Sequence, residues 1–104
     1  MAARARELQN AIADYLKLNR WLVWRNGAGG FMKGEHFVVM GTVGLPDLMA
    51  FKQGRLLACE VKYGKDRVSE KQQAWLDSLS AHGAIVCVAR CLDDVLQALK
   101  DGHA

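Results

Sequence analysis

The residues best suited to chemistry lie in one short stretch, Pro46–Gly64, which contains Asp47, Glu60 and Lys62. Carboxylate and backbone carbonyl oxygens are the ligands that hard cations such as Mg²⁺ and Mn²⁺ prefer. A water held by such a cation and oriented by a lysine is a nucleophile suited to a phosphodiester. These three side chains therefore predict a metal-dependent hydrolytic site, provided that the fold brings them together.

A tight turn at Gln53-Gly54 places the two carboxylates opposite each other. The dipeptide separates two apolar runs, and glycine at the second loop position is readily accepted in a two-residue β-hairpin. With this turn the numbers of paired residues sum to 107, so Asp47 falls opposite Glu60. Lys62 shares the face of Glu60 because side chains alternate along a strand. The register thus predicts two carboxylates and an ammonium group on one side of a sheet.

Facing carboxylates repel each other, so either Lys62 or a divalent cation should neutralise them. A purely structural alternative has Asp47 capping a turn while Glu60 and Lys62 form a surface pair on an edge strand. The residues at 56–59 are apolar on both faces, which instead favours a central strand. Charges are rarely placed at the end of a central strand without a partner or a task. The pattern therefore favours the site.

Hydrophobic periodicity predicts the elements that hold this stretch. The segment NGAGGFMKGEH, which follows the first strand, is interpreted as a glycine-rich connection. The uniformly apolar run Ala84–Ala89 predicts a strand covered on both sides. The result is an α/β fold of order αβββαβα, in which helices flank a mixed sheet. The predicted helices are Ala3–Leu18, Ser69–Ser80 and Asp93–Lys100, and the predicted strands are Trp21–Arg25, His36–Met40, Leu48–Lys52, Arg55–Lys62 and Ala84–Ala89.

Composition predicts one globular domain over residues 1–104, since 51% of the chain is hydrophobic and 24% is charged. No apolar run reaches the ~18 residues that a membrane span needs, and no signal peptide is evident, so we expect a cytoplasmic protein. Cys59, Cys87 and Cys91 show no CxxC spacing and are interpreted as reduced, buried thiols. Residues 1–71 carry 12 Lys/Arg against 7 Asp/Glu, which hints at a polyanionic partner.

The pair P-D followed after 12 residues by E-V-K resembles the signature of the PD-(D/E)XK nuclease superfamily. Three further features are similar to the VRR-Nuc family, the virus-type replication-repair nucleases. They are the SxxQ pattern at Ser69–Gln72, the segment Gly44–Leu48 and an early helical Glu7. The resemblance extends from Glu7 to about Arg90 and implies a restriction-endonuclease-like core with endonuclease activity on DNA.

For the site, the resemblance implies that Asp47 and Glu60 hold Mg²⁺ or Mn²⁺ with the Val61 carbonyl as a further ligand. Lys62 would position the attacking water or stabilise charge in the transition state. Gln72 would orient a water or a phosphate from the following helix.

The resemblance also makes Glu7 an outer ligand or water-holder, although an acidic residue early in a helix is favourable in any case. Ser69 and Gln72 equally match a plain capping box, in which the glutamine bonds back to the start of its own helix. Both alternatives stay open at this point. The basic residues expected to contact DNA phosphates are Arg25, Lys33, Lys65, Arg67 and Lys71.

The chain is similar to stand-alone phage and bacterial members of the family, which implies a homodimer acting on branched DNA in the manner of a Holliday-junction resolvase. Its setting would be the cytoplasm of a bacterial or phage-infected cell. Trp21, Trp24 or the first helix would supply the apolar contact between copies. The alternatives are a nuclease for flap or nicked single-stranded DNA, and a non-catalytic DNA-binding subunit of the same fold. Such a subunit would gain from losing its opposed carboxylates.

Overall fold

The structure is a computed structural model that describes residues 3–27, 30–39 and 42–102. Three helices and six strands lie within these ranges, and the mixed α/β architecture predicted from the sequence is confirmed. None of these helices is long and apolar enough to cross a lipid bilayer. In chain order the elements are α1 (Ala3–Leu18), β1 (Leu22–Arg25), β2 (Gly30–Lys33), β3 (His36–Val39), β4 (Leu48–Lys52), β5 (Arg55–Val61), α2 (Glu70–Ala81), β6 (Ile85–Ala89) and α3 (Leu92–Asp101).

Four strands form the main sheet in the order β1-β4-β5-β6. Strand β4 is antiparallel to both β1 and β5, whereas β6 runs parallel to β5, so the sheet is mixed. Helices α1 and α3 pack on one face, where Ile12, Leu16 and Val95 join Leu57 in the core. Helix α2 contacts β5 and β6. The predicted central position of β5 is confirmed.

The β4–β5 hairpin has the register that its turn predicts. Gln53 and Gly54 have φ angles of 50° and 81°, the pair of positive values that a type I′ turn requires. Pairing runs from Lys52↔Arg55 at the turn to Leu48↔Cys59 at the far end. One further step along the ladder sets Asp47 against Glu60.

The glycine-rich connection contains a strand, and this part of the prediction was wrong. Strand β2 pairs with β3 in a separate two-stranded sheet, with Gly34-Glu35 as a two-residue loop between Lys33 and His36. The abundance of glycine in this segment obscured a hairpin signal of the same kind as in β4–β5. Met40, predicted as the end of β3, lies outside the described residues.

Two predictions of burial were also wrong. Strand β6 is at the edge of the main sheet, so the four residues Ile85–Val88 are only half-buried. On α2, only Leu76 is buried and the neighbouring Trp75 is 36% exposed. Cys91 is exposed because it occupies the N-cap of α3.

Candidate active site

Asp47 lies immediately before β4 and is held by both neighbouring strands. Its Oδ2 accepts a hydrogen bond of 2.8 Å from the backbone N–H of Val61. Its backbone carbonyl accepts one of 2.9 Å from the N–H of Asn26. The Asn26 side chain also donates to the Pro46 carbonyl at 2.9 Å. These bonds fix the main chain at Asp47 and commit one carboxylate oxygen to Val61.

Asn26 is a positioning residue that was missed in the sequence. A signal existed, because the β1–β4 pairs, such as Leu22↔Phe51, have numbers that sum to 73. Extending that register by one step beyond Arg25 sets Asn26 opposite Asp47. The pairing of β1 with β4 was not worked out from the sequence, and without it Asn26 is an ordinary loop residue.

Glu60 is a carboxylate taken almost completely out of water, with 2% of its surface exposed. Its Oε2 lies 3.5 Å from the Lys62 ammonium nitrogen and accepts a hydrogen bond of 3.2 Å from Gln72 Nε2. Its Oε1 is buried and has no hydrogen-bond partner among the described residues. A buried, charged oxygen without a partner is costly, so this atom fits a cation.

The Val61 carbonyl is directed toward the same place. The Lys62 N–H donates to Ala89 on β6, whereas the Val61 N–H donates to Asp47. Because the N–H and C=O of one extended residue point to the same side, the Val61 carbonyl faces the side of Asp47. Over residues 3–27, 30–39 and 42–102 no three His, Cys, Asp or Glu side chains form a metal-binding group. Two carboxylates and a carbonyl nevertheless suit Mg²⁺, which usually keeps several waters.

Gln72 forms the capping box that the sequence allowed, and its side chain also contacts the candidate site. Its Nε2 donates to Glu60, while its Oε1 accepts from the Ser69 N–H at 2.9 Å. The Ser69 hydroxyl accepts from the Gln72 N–H in return, which completes a capping box. Since a backbone N–H only donates, the amide oxygen must face Ser69 and the NH₂ group must face Glu60. The cap of α2 thus orients the amide at the site.

Gly44 joins the segment before Asp47 to the start of α2. Its φ is 91°, and a Cβ atom at this position would lie 3.0 Å from the Lys71 carbonyl oxygen. Only glycine meets both conditions without strain. The chain that leads into Asp47 and the helix turn that carries Gln72 are therefore held against each other.

Burial raises the pKa of Glu60 from 4.5 to about 7, and repulsion from the Asp47 carboxylate adds to this effect, while Lys62 opposes it. Without a bound cation, the folded chain therefore holds a proton on Glu60 near neutral pH that the unfolded chain has already released. A cation at Oε1 would compete with this proton.

We expect the free energy of unfolding of the metal-free protein to decrease as pH rises from about 4.5 to above 7. In this window the folded state binds the additional proton, so raising the pH favours unfolding. The rise of the Glu60 pKa from 4.5 to about 7 corresponds to about 3 kcal/mol. Chemical denaturation in EDTA at several pH values measures it, with Glu60→Gln as reference because other titrating groups then cancel. An identical pH dependence in both proteins would contradict the raised pKa.

Glu7 is exposed on α1 between two contacts that lie close to the site. One turn earlier Arg4 donates to the Tyr63 hydroxyl at 3.2 Å, and one turn later Asn10 accepts from Arg25 at 2.7 Å. Residues three apart lie along one side of a helix. Glu7 is therefore on the side of α1 that lies near the ends of β1 and β5. It does not join Asp47 in a metal-binding group of three side chains.

The basic residues expected to contact DNA divide into two sets. Lys65, Arg67 and Lys71 are exposed in the loop after β5 and the first turn of α2, and Lys33 is exposed on the separate hairpin. Arg25 instead donates to Gln9 at 2.8 Å, as well as to Asn10, on the α1 side of the sheet. These contacts of Arg25 were not predicted from the sequence.

The site therefore consists of five neighbouring residues, Asp47, Glu60, Val61, Lys62 and Gln72. Residues 38–92, more than half of the 104-residue chain, match the family model described as the VRR-NUC domain, and all five lie within the match. No curated protein matches the chain.

Proposed function

The chain belongs to the VRR-NUC family, whose domain indicates a nuclease of the PD-(D/E)XK type, and from that premise we propose a Mg²⁺- or Mn²⁺-dependent endonuclease that hydrolyses DNA phosphodiester bonds. One observation carries the proposal. The carboxylates of Asp47 and Glu60 meet beside Lys62, and Glu60 retains a buried oxygen without a partner among the described residues. A chain that only bound DNA would be more stable without this repulsion.

The metal ligands in this proposal are Asp47, Glu60 Oε1 and the Val61 carbonyl. When bound, Mg²⁺ or Mn²⁺ lowers the pKa of a coordinated water and neutralises charge on the phosphoryl oxygens. The protein's own part is to hold these ligands in place. The Val61 N–H fixes Asp47, and Gln72 fixes the other oxygen of Glu60.

Lys62 is the proposed source of positive charge in the transition state. Its ammonium nitrogen is 3.5 Å from Glu60 Oε2, and its side chain is 14% exposed. It is thus largely removed from water. In such a low-dielectric environment a fixed charge stabilises a developing anion more strongly than it does in water. Glu7 is the proposed outer water-holder, because it is on the side of α1 near the ends of β1 and β5.

The proposed DNA contacts are the exposed cations around the site. Lys65 and Arg67 follow the catalytic strand, and Lys71 immediately precedes Gln72. Contacts of this kind bind phosphates and position a duplex without reading its sequence. Lys33 would reach a more distant phosphate from the β2–β3 hairpin. Arg25 would contribute only if DNA displaced it from Gln9 and Asn10.

We further propose a homodimer that cuts branched DNA such as a four-way junction, in which two copies supply paired cuts. The sheet offers an apolar surface for the contact between copies. Leu22 and Phe51 are paired neighbours that are 67% and 45% exposed, and Trp24, 41% exposed, lies on the same face. Trp21 is not available, because it is 6% exposed and lies beneath Lys52 and Arg55.

Changing Trp24 to glutamate should convert the dimer into a monomer, because a charge would be buried at the centre of the apolar contact. Sedimentation velocity at micromolar concentration measures this directly. The matched control is Leu18→Glu, which places the same charge at an apolar residue that is 83% exposed at the end of α1. A wild-type protein that sediments as a monomer would contradict paired cutting.

The experiment that tests the function is a cleavage assay with Mg²⁺, Mn²⁺ or EDTA on labelled duplex, single-stranded, flap and four-way-junction DNA. Symmetric, metal-dependent cuts in the junction would support the whole proposal. Metal-dependent cuts in flap or nicked DNA alone would keep the chemistry and replace the substrate. Binding without cleavage of any substrate would favour the non-catalytic DNA-binding subunit.

A further inference from the structure

A groove of about 640 Å³ runs along the edge of the sheet formed by β6. Its floor is the strand itself, at Ala84, Val86 and Val88. One wall is the end of α2 near Ser80, and the other is α3, where Asp94 and Asp101 line the opening. None of the five site residues lines it, although Val88 in its floor is paired with Glu60 on the neighbouring strand.

The floor presents backbone groups that are free to pair with another strand. The carbonyl of Ala89 points toward β5, where it accepts from Lys62. The direction of the backbone N–H and C=O groups alternates along a strand. Those of Cys87 therefore also point toward β5, while those of Val86 and Val88 point toward the groove. Both of these residues line it. The groove therefore exposes a hydrogen-bonding edge.

Natural sheets usually protect such an edge with lysine, proline or a bulge, but the segment 84–89 (AIVCVA) contains no charged residue and no proline. The protection here comes from α2 and α3, which form walls on either side of the edge. A single extended strand fits between these walls. A second copy of the chain would bring its own two helices to the same place, so the edge of another β6 is a poor fit.

The two walls differ in chemistry. Val86 and Val88 share the face of Glu60, on the α2 side, and they make that side apolar. The α3 wall carries the carboxylates of Asp94 and Asp101, and among the described residues no Lys or Arg lines the groove. An added strand places alternate side chains on the two sides. The groove therefore complements a strand in which apolar residues alternate with Lys or Arg, and it repels a nucleic acid.

We propose that β6 is a docking site for a partner protein, which adds an extended segment of alternating apolar and basic residues to the sheet. Backbone hydrogen bonds supply affinity in this mode of recognition, and alternate side chains supply specificity. The proposal does not depend on nuclease activity. The docked segment would bind the free edge of β6, whereas Glu60 lies on β5, at the opposite edge of β6.

The test is a selection of random peptides, about ten residues long, displayed on phage and bound to the full chain in EDTA without DNA. We expect the enriched peptides to alternate apolar and basic residues. The best peptide is then synthesised and its affinity is measured by calorimetry. Hydrogen exchange should show slower exchange at the amides of Val86 and Val88 when this peptide is bound.

Two aspartates make a matched pair for the specificity test. Asp101 lines the groove and accepts from Gln97 at 2.9 Å. Asp77, on α2 outside the lining, accepts from Gln73 at the same distance. Asp101→Asn should weaken peptide binding roughly fivefold, and Asp77→Asn should leave it unchanged. Val86→Pro removes a donor that faces the groove and should weaken binding further.

Several results would overturn the docking site. These are enriched peptides without basic residues, equal effects of the two aspartate variants, or protection of amides other than those of β6. Slow exchange at Val86 and Val88 in the free protein, increasing with its concentration, would show that a second copy covers the edge. Failure of cleavage assays would leave this result unaffected, since no step requires catalysis.

Discussion

Replacing Glu60 by glutamine should abolish metal-dependent cleavage, by roughly 1000-fold or more, and at the same time raise the melting temperature of the metal-free protein at pH 8. Cleavage is lost because the amide no longer supplies an anionic ligand, and a bound metal contributes several kcal/mol to charge stabilisation in the transition state. Stability rises because the substitution removes a buried carboxylate that faces Asp47 and whose Oε1 has no partner among the described residues. A loss of cleavage together with a gain in melting temperature would distinguish a functional residue from a structural one.

Single-turnover cleavage and thermal unfolding in EDTA measure the two effects. Glu35→Gln is the matched control, since Glu35 is exposed in the loop of the separate hairpin and should change neither quantity. Asp47→Asn should lose cleavage to a similar degree but without the gain in stability, because it weakens the bond to the Val61 N–H. Glu60→Gln with wild-type cleavage would refute the proposed ligand set.

Replacing Lys62 by methionine should reduce the rate of the chemical step by about 100- to 1000-fold, which is the usual effect of removing one preorganised group from a transition state. Methionine keeps the length and the packing of the side chain. Binding of Mn²⁺ should survive, because both carboxylates remain and a repelling cation has gone. Lys62 also lowers the pKa of Glu60, so the residual activity should require a higher pH than the wild type.

Single-turnover rates and Mn²⁺ titration by electron paramagnetic resonance give the two readouts. Lys100→Met, at an exposed lysine near the end of α3, controls for the loss of one positive charge. Loss of Mn²⁺ binding in Lys62→Met would show that the lysine holds the carboxylates in place instead of acting on the phosphate.

The part of the site that was predictable depends on local geometry. Asp47 and Glu60 are joined by a hairpin whose two-residue turn is legible in the sequence, and strand alternation then assigns Lys62 to the same face. Gln72 was predictable as a capping residue or as a residue of the site. The structure shows the cap together with a bond to Glu60, because an amide has both a donor and an acceptor.

The parts that were missed depend on contacts between distant segments. The positioning role of Asn26 follows only when β1 is known to pair with β4. The half-burial of β6 follows only from its place at the end of the strand order. An apolar run indicates that a strand exists, but it does not reveal which neighbours the strand has. The strand β2 was missed for a different reason, since its flanking glycines were interpreted as a loop.

The turn at Gln53-Gly54 has a consequence for the chemistry, although it lies six ladder steps from Asp47, or about 20 Å. Its two positive φ angles determine whether odd or even positions of β5 face the carboxylate of Asp47. Adding or removing one residue at this turn would exchange the two faces of β5. Cys59 would occupy the place of Glu60 after an addition and Val61 after a removal, and in both cases the glutamate would enter the core. The number of residues in a remote turn is therefore expected to matter for activity as much as any proposed metal ligand.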